Sequence, residues 1–491
     1  MIHSNENRLH TGSLSLLTDL YQLTMAYGYW KQGIADKEAV FHLFFRKNPF
    51  QGGYVVTAGQ QLVADYLRDF SFSKDDIAYL ASLQGNDGCP LFDRELLSFL
   101  NRLELTVDVD AMPEGTVAFP HQPLLRVSGP ILQCQLLETA LLNIVNFQTL
   151  IATKAARICR AAGENPVLEF GLRRAQGIDG ALGASRAAYI GGCAATSNLL
   201  AGKHFGIPVK GTHAHSWIMS FDDELEAFEN YAAAMPNNCV FLVDTYDTLE
   251  GVRKAIQVGK QLQAGGHRMV GIRLDSGDLA YLSIEARKLL DEAGFSDAVI
   301  VASNDLDEYL IESLINQGAP ITVWGVGTKL VTAFDQPALG GVYKLGAVRE
   351  DGGNWVPKVK LSEQLIKTST PGKLQVRRFK DSDGAIADMI FNELQGPSDT
   401  IVDPLDPTRR LTLKGAHASE DLLQPLMNRG QVVALAEPLP VVRERAINQL
   451  KMFHGGVLRL SNPHRYPVGL ERELFELKSK LVLQARGQHV L

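Results

Sequence analysis

The pattern of hydrophobic and polar positions changes twice along the 491-residue chain, near residue 166 and again after about 345. Up to about 150, short β-type runs mix with helical patterns. Residues 39–50 (AVFHLFFRKNPF) and 53–70 (GYVVTAGQQLVADYLRDF) predict a strand, a turn, and a second strand leading into a helix. SKDDIAYLASL opens at Ser73 with an N-cap residue and an acidic first turn. Around 105–132, strand segments punctuated by Pro and Gly predict an antiparallel sheet, and 132–163 reads as one long or two short buried helices.

From about 166 the texture becomes regular. PVLEF, IPVKG, CVFLVDT, MVGIRLDSGD, AVIVASND and ITVWGVGT are short apolar runs, each ending in small or polar residues, with helical patterns between most of them. The last four begin near 239, 269, 298 and 321, the spacing of a βαβ step. Runs apolar on both faces imply a parallel sheet covered on both sides. The pattern predicts an α/β fold, an irregular (β/α) barrel more readily than an open doubly wound sheet. Beyond 345 come polar, turn-rich segments with short strands, then two helical patterns, PLPVVRERAINQLKMF and ERELFELKSKLVLQARG. The expected organisation is an N-terminal α/β domain over 1–140, the barrel over 141–345, and a C-terminal β-rich and helical region over 346–491 packing on both.

Composition narrows the partners. With 48 Lys+Arg against 55 Asp+Glu, the formal net charge is -7, so no bulk attraction to nucleic acid or anionic membrane is expected. No apolar run approaches 18 residues, and the first residues lack the basic start and apolar stretch of a signal peptide. Five scattered cysteines, without a CxxC, suit a reducing compartment and give a structural zinc site no footing. The chain reads as cytoplasmic.

In a barrel of this kind, chemistry gathers at the carboxyl ends of the strands. Those ends carry Phe170, Arg173 and Arg174; Thr212, His213 and His215; Asp244 and Asp247; Arg273, Asp275, Gly277 and Asp278; Ser303 and Asn304; and Gly325, Gly327 and Thr328. A scaffold alone would predict small caps there. Asp278 reads more readily as a helix N-cap than as a site residue, and Asp247 reads equally as either. No GxxxxGK[ST] occurs, which excludes a conventional P-loop. His213-Ala-His215 has the spacing of a zinc pair but lacks the later ligands that a hydrolase barrel needs. Three arginines, a glycine turn with Thr328, and the carboxylates of Asp244 and Asp275 suit a phosphorylated anion beside a second anionic ligand, with ribose hydroxyls or hydrated magnesium on the acids.

Six segments in order, LLTDLYQLTMAYGYW (16–30), EFGLRRAQG (169–177), GTHAHSW (211–217), VDTYDT (243–248), IRLDSGD (272–278) and GVGTKLVT (325–332), followed by PALGGVYKL (337–345), resemble nicotinate phosphoribosyltransferases. The resemblance implies a type II phosphoribosyltransferase barrel and a homodimer with a shared active site. It implies synthesis of nicotinate mononucleotide and pyrophosphate from nicotinate and 5-phosphoribosyl 1-pyrophosphate (PRPP). ATP is the implied co-substrate, Mg²⁺ the implied cofactor, and NAD salvage the implied context. By that resemblance, Arg273, Thr212 and Arg173 contact nicotinate, with Arg273 on its carboxylate. Phe170 and Tyr21 sandwich the ring, Tyr21 arriving from the neighbouring subunit. Gly277, Ser303, Gly325, Gly327 and Thr328 hold PRPP together with Asp275. Asp244 lies beside the reacting carbon and metal, and His215 is the residue phosphorylated by ATP. No metal ligand set is assigned. Relatives using nicotinamide carry an aspartate in the region of CAATSNLLAG, around Asn198, so a neutral residue there favours the acid. A sister transferase using nicotinamide or quinolinate, and a catalytically silent nucleotide-binding regulator, are the competing expectations.

Overall fold

A computed structural model describes residues 13–350, 352–364, 367–414 and 416–487. The chain divides into two compact units, Met1–Leu150 with Ala338–Leu491, and Ile151–Pro337.

In the second unit, six parallel strands form, five of them from the predicted apolar runs and one, Ala195–Thr196, outside them. Their order is Ala195–Thr196, Val167–Glu169, Val323–Val326, Val299–Ala302, Gly271–Leu274 and Val240–Leu242. Val209 extends the sheet by a parallel bridge to Thr196. Between that segment and Val240–Leu242 the ring is joined by a side chain: Nε2 of His213 accepts from the Leu242 N–H at 3.3 Å. This gap makes the barrel irregular.

The covering helices follow their sequence signals. Thr248–Ala264 buries Gly251, Val252, Ala255, Val258, Gly259 and Leu262, a stripe at helical spacing. Asp247 caps it by accepting from Glu250 N–H, and Asp278 caps Leu279–Glu292 through Ala280 and Tyr281 N–H. Both aspartates therefore serve the scaffold.

The first unit joins both ends of the chain, where the sequence suggested two separate regions. Strand Glu38–Phe45 pairs antiparallel with Leu125–Pro130 on one side and Gly341–Arg349 on the other. The expected boundary at 345 thus falls inside a strand, and the one at 140 falls inside the helix Glu138–Ala162. A seven-stranded sheet takes strands from 38–130 and from 341–432. A second sheet of six strands spans 374–471 and packs Ala387, Met389, Phe391, Ile401 and Leu413 into a small core. Arg126 ties the early and late segments, donating to Asp110 and to the Leu374 carbonyl. Ser73 caps Lys74–Ser82 in a reciprocal capping box with Asp76, as its sequence predicts. The last two helical patterns become Leu439–Lys451 and Arg472–Ala485. Among the described residues, no helix is long and apolar enough to cross a membrane.

Candidate active site at the strand ends

Arg273, near the end of its strand, organises the cluster. Its Nε donates to Ser303 Oγ at 2.9 Å, one terminal nitrogen to Thr212 Oγ1 at 2.9 Å, and the other to Asp275 Oδ1 at 3.0 Å. Three strand ends, distant in sequence, therefore meet on one guanidinium. Of the five N–H donors of an arginine, these bonds take three and leave two. The guanidinium carbon lies 6.0 Å from the Phe170 ring centre, within cation–π range.

Asp275 also accepts from Ser303 Oγ. Burial pushes its carboxyl up, but the Ser303 hydrogen bond and the Arg273 charge outweigh this and hold it below its ordinary value. Its backbone N–H donates to Asp244 Oδ2 at 2.8 Å, and Ser276 Oγ donates to the same oxygen at 2.7 Å. The other oxygen of Asp244 is buried without a hydrogen-bond partner. Gly277 turns the loop with φ +76, a conformation that L side chains rarely adopt.

His215 begins a short helix at the rim. Nδ1 lies 3.0 Å from Thr245 Oγ1, and Nε2 lies 3.7 Å from Asp275 Oδ2. His213 faces elsewhere, packing edge-on to Tyr231 at 4.7 Å. Burial, reinforced by the Arg273 charge, pushes its pKa down to about 4, which keeps the imidazole neutral. The two histidines thus have separate partners, which is not the convergence a zinc pair requires.

The glycine turn is shaped by Phe170. A Cβ on Gly325 would lie 2.8 Å and 2.9 Å from two ring carbons of Phe170, and one on Gly327 would lie 3.1 Å from the Phe170 carbonyl oxygen. Glycine here lets the ring lie against the strand, next to Thr328, which opens a short helix. On the far side, Asn304 (φ 100) and Asp305 (φ 45) hold positive φ after Ser303. Non-glycine residues in such conformations cost about 1–3 kcal/mol each and persist only where their surroundings over-determine them.

The structure brings together Thr212, His215, Asp244, Arg273, Asp275 and Ser303 by direct contacts, with Phe170, Gly325 and Gly327 packed on one another beside them. Arg173 and Arg174 lie exposed on the turn after Phe170. Tyr21 belongs to the first unit. It is 49% exposed on Leu20–Lys31 and lines a cavity there with Phe41, Tyr343, Lys344, Lys358 and Lys360. Asn198 is buried: Oδ1 caps Leu199–Phe205 through Ala201 N–H, and Nδ2 donates to Ser185. Each polar atom thus makes one bond to the scaffold.

Sequence reasoning missed Glu169. Almost fully buried, it accepts from Gly171 N–H, Ser185 Oγ and Thr196 Oγ1, fixing the turn that presents Phe170. A carboxylate ending an apolar run was the available signal. Thr245 and Ser276, which orient His215 and Asp244, stand inside quoted motifs but are small hydroxyl residues with no signal of their own.

Similarity to known proteins gives the family of the chain. Family models described as the N-terminal domain, the family region and the C-terminal domain of nicotinate phosphoribosyltransferase match residues 16–146, 166–381 and 373–478. The nicotinate phosphoribosyltransferase of Bacillus subtilis is 43% identical, over 97% of this chain and 96% of its own length. The human protein is 38% identical, over 95% and 96%. The crystal structure of human nicotinic acid phosphoribosyltransferase superposes with a TM-score of 0.81 at 34% identity, covering 94% of this chain and 99% of that one. A nicotinate-nucleotide pyrophosphorylase from Pyrococcus furiosus, 22% identical with a TM-score of 0.69 over 89% and 95% of the two chains, shares the fold. With its strand-end cluster, its three matched regions and near-full-length relatives, this chain belongs to the nicotinate phosphoribosyltransferase family.

Proposed function

We propose that the chain joins nicotinate to PRPP, giving nicotinate mononucleotide and pyrophosphate. We further propose that ATP drives the reaction through a phosphohistidine at His215, in the cytoplasm, and that the product serves NAD synthesis by salvage. The observation that carries this reading is the Arg273 fork, with two free donors, the Thr212 hydroxyl beside it and the Phe170 ring within 6.0 Å. A planar aromatic acid needs a cation for its carboxylate and an apolar face for its ring, and this cluster offers both. In a homodimer, Tyr21 of the neighbouring subunit would supply the second face, and its exposed ring suits that role. Arg173 is free at the surface to add a second cation.

The pyridine nitrogen carries its own lone pair, so no base is needed. The N–C1′ bond forms as the C1′–O bond to pyrophosphate breaks, and the electron pair leaves with pyrophosphate. The protein's work is therefore alignment and charge placement. Arg273 and Thr212 orient the acid. Asp275 and Asp244 set negative charge beside the electron-poor ribosyl centre. Gly277, Ser303, Gly325, Gly327 and Thr328 offer N–H and O–H donors to the ribose and phosphates.

The unpartnered buried oxygen of Asp244, beside Asp275, fits a hard cation. Among the described residues no group of three or more His, Cys, Asp or Glu side chains converges on a metal position. Asp244 and Asp275 would thus hold Mg²⁺ jointly with substrate oxygens. When bound, the ion neutralises the leaving pyrophosphate. At His215, an Nδ1–H donated to Thr245 leaves the Nε2 lone pair for the γ-phosphorus of ATP. The N–P bond forms, the terminal P–O bond of ATP breaks, and ADP departs.

Steady-state turnover with nicotinate, nicotinamide and quinolinate, each with PRPP and with or without ATP, tests the reading. Nicotinate should give the highest kcat/KM and ATP should raise it. Faster turnover of either other pyridine, or none of any, overturns it.

A further inference from the structure

Lys329 follows Thr328 in the glycine turn, and its Nζ donates to Asp307 Oδ2 at 2.7 Å. The other oxygen of Asp307 already caps the helix Glu308–Asn316, accepting from Tyr309 and Leu310 N–H at 3.1 Å and 2.8 Å. The cap needs only that one oxygen, so the Lys329 bond serves another purpose: it ties two strand-end loops together. The next residue, Glu308, is fully buried between Lys154 Nζ at 2.7 Å and Arg157 Nε at 2.8 Å, which anchors this helix start. At the opposite end of the loop, Ser303 is held by Arg273 and Asp275. Between these two fixed ends lie the positive-φ residues Asn304 and Asp305. A corner in such a conformation relaxes when either end is released.

We infer that Lys329 and Asp307 form a positioning clamp for the phosphoribosyl half of the site, holding the Ser303–Asp307 loop in register with the glycine turn 325–328. The inference rests on the PRPP reading above for its kinetic consequence, though not for its structural one. Both are assigned as positioning residues. They act through Ser303 on one loop and Gly325, Gly327 and Thr328 on the other. The pair is only partly screened, its side chains being 25% and 10% exposed. Although burial raises the Asp307 carboxyl, the Lys329 and Leu310 hydrogen bonds and the Lys329 charge prevail and hold it below its ordinary value.

Three single variants of the full chain, and one double variant, test the clamp. Asp307→Asn keeps an oxygen for the helix cap and removes the ion pair, Lys329→Met removes the pair from the other side, and Lys329→Arg preserves it. Lys329→Met and Asp307→Asn should each raise the KM for PRPP about tenfold, as expected when binding groups are misplaced by a fraction of an ångström. The KM for nicotinate should stay within about twofold of wild type, and Lys329→Arg should recover most of the loss. The double variant should be no worse than either single. Independently of turnover, hydrogen exchange at the amides of 303–307 should quicken about tenfold in both disrupting variants. Unchanged exchange together with unchanged PRPP KM overturns the clamp, as does an equal rise in both KM values. A wild-type chain that does not turn over nicotinate and PRPP, yet shows the exchange effect, leaves the clamp standing and overturns the activity reading.

Discussion

Gly325→Ala is a sensitive probe of the site because its effect can be worked out from one contact. The added Cβ would lie 2.8 Å from Cδ2 and 2.9 Å from Cε2 of Phe170. Carbon–carbon contacts are favourable at about 3.5–4.0 Å, so the ring must retreat by roughly 0.7 Å or more. The backbone at 325 does not have positive φ, so no backbone strain adds to the clash. The neighbouring Ala302 carbonyl, 3.5 Å from the new atom, is not a second obstacle. The consequence should therefore be confined to the ring and what stacks on it. Overpacking of this size costs about 1–3 kcal/mol where the ring cannot move, and less here because Phe170 is only half-buried. A ring displaced by that amount should raise the KM for nicotinate about tenfold, with a smaller change in the KM for PRPP. Steady-state kinetics in both substrates, repeated in a Phe170→Leu background, gives the test. In that background alanine at 325 should cost little more. An unchanged nicotinate KM, or an equal loss with Leu at 170, would refute the assignment of this ring to the pyridine.

Other outcomes follow from the same geometry. Arg273→Ala should raise the KM for nicotinate about a hundredfold, since it removes a charged donor pair worth roughly 1.5–3 kcal/mol and leaves Asp275 and Thr212 without their partner; a KM near wild type contradicts its role. His215→Ala should lose ATP stimulation while keeping weak ATP-independent transfer, and full ATP response in that variant removes the phosphohistidine from the account. His213, held neutral with its pKa near 4, binds its proton more weakly folded than unfolded, so its contribution is complete above about 6.5 and is lost as pH falls toward 4. The stability difference between wild type and His213→Gln, from urea unfolding at a series of pH values, should therefore shrink by up to about 3 kcal/mol over that window; a difference independent of pH rules out the neutral acceptor to Leu242.

The periodic half of the chain was the legible half. Parallel strands buried on both faces announce themselves as apolar runs, and their polar ends mark where Thr212, Asp244, Arg273, Asp275 and Ser303 meet. Caps were legible too, because Ser73, Asp247 and Asp278 act on amides two or three residues away. What local pattern does not encode is pairing at long separation. Nothing in AVFHLFF says that its neighbour is GVYKLGAVR, some 300 residues later, so one compact unit read as two regions. The same limit hid the supporting residues. Glu169 acts through Ser185 and Thr196, and Lys329 through Asp307, partners that only the fold brings near. The cap that Asn198 makes through Ala201 N–H, with its bond to Ser185, also needed the fold to be seen.

The central claim is that the Arg273 fork and the Phe170 face receive the carboxylate and ring of nicotinate at the same strand ends that hold the sugar diphosphate. A crystal structure with nicotinate and a non-hydrolysable PRPP analogue tests it most directly. The account predicts the carboxylate within about 3 Å of the Arg273 guanidinium, the ring against Phe170, and the phosphates at the 277, 303 and 325–328 turns. Nicotinate bound away from Arg273, or phosphates bound away from those turns, would contradict it.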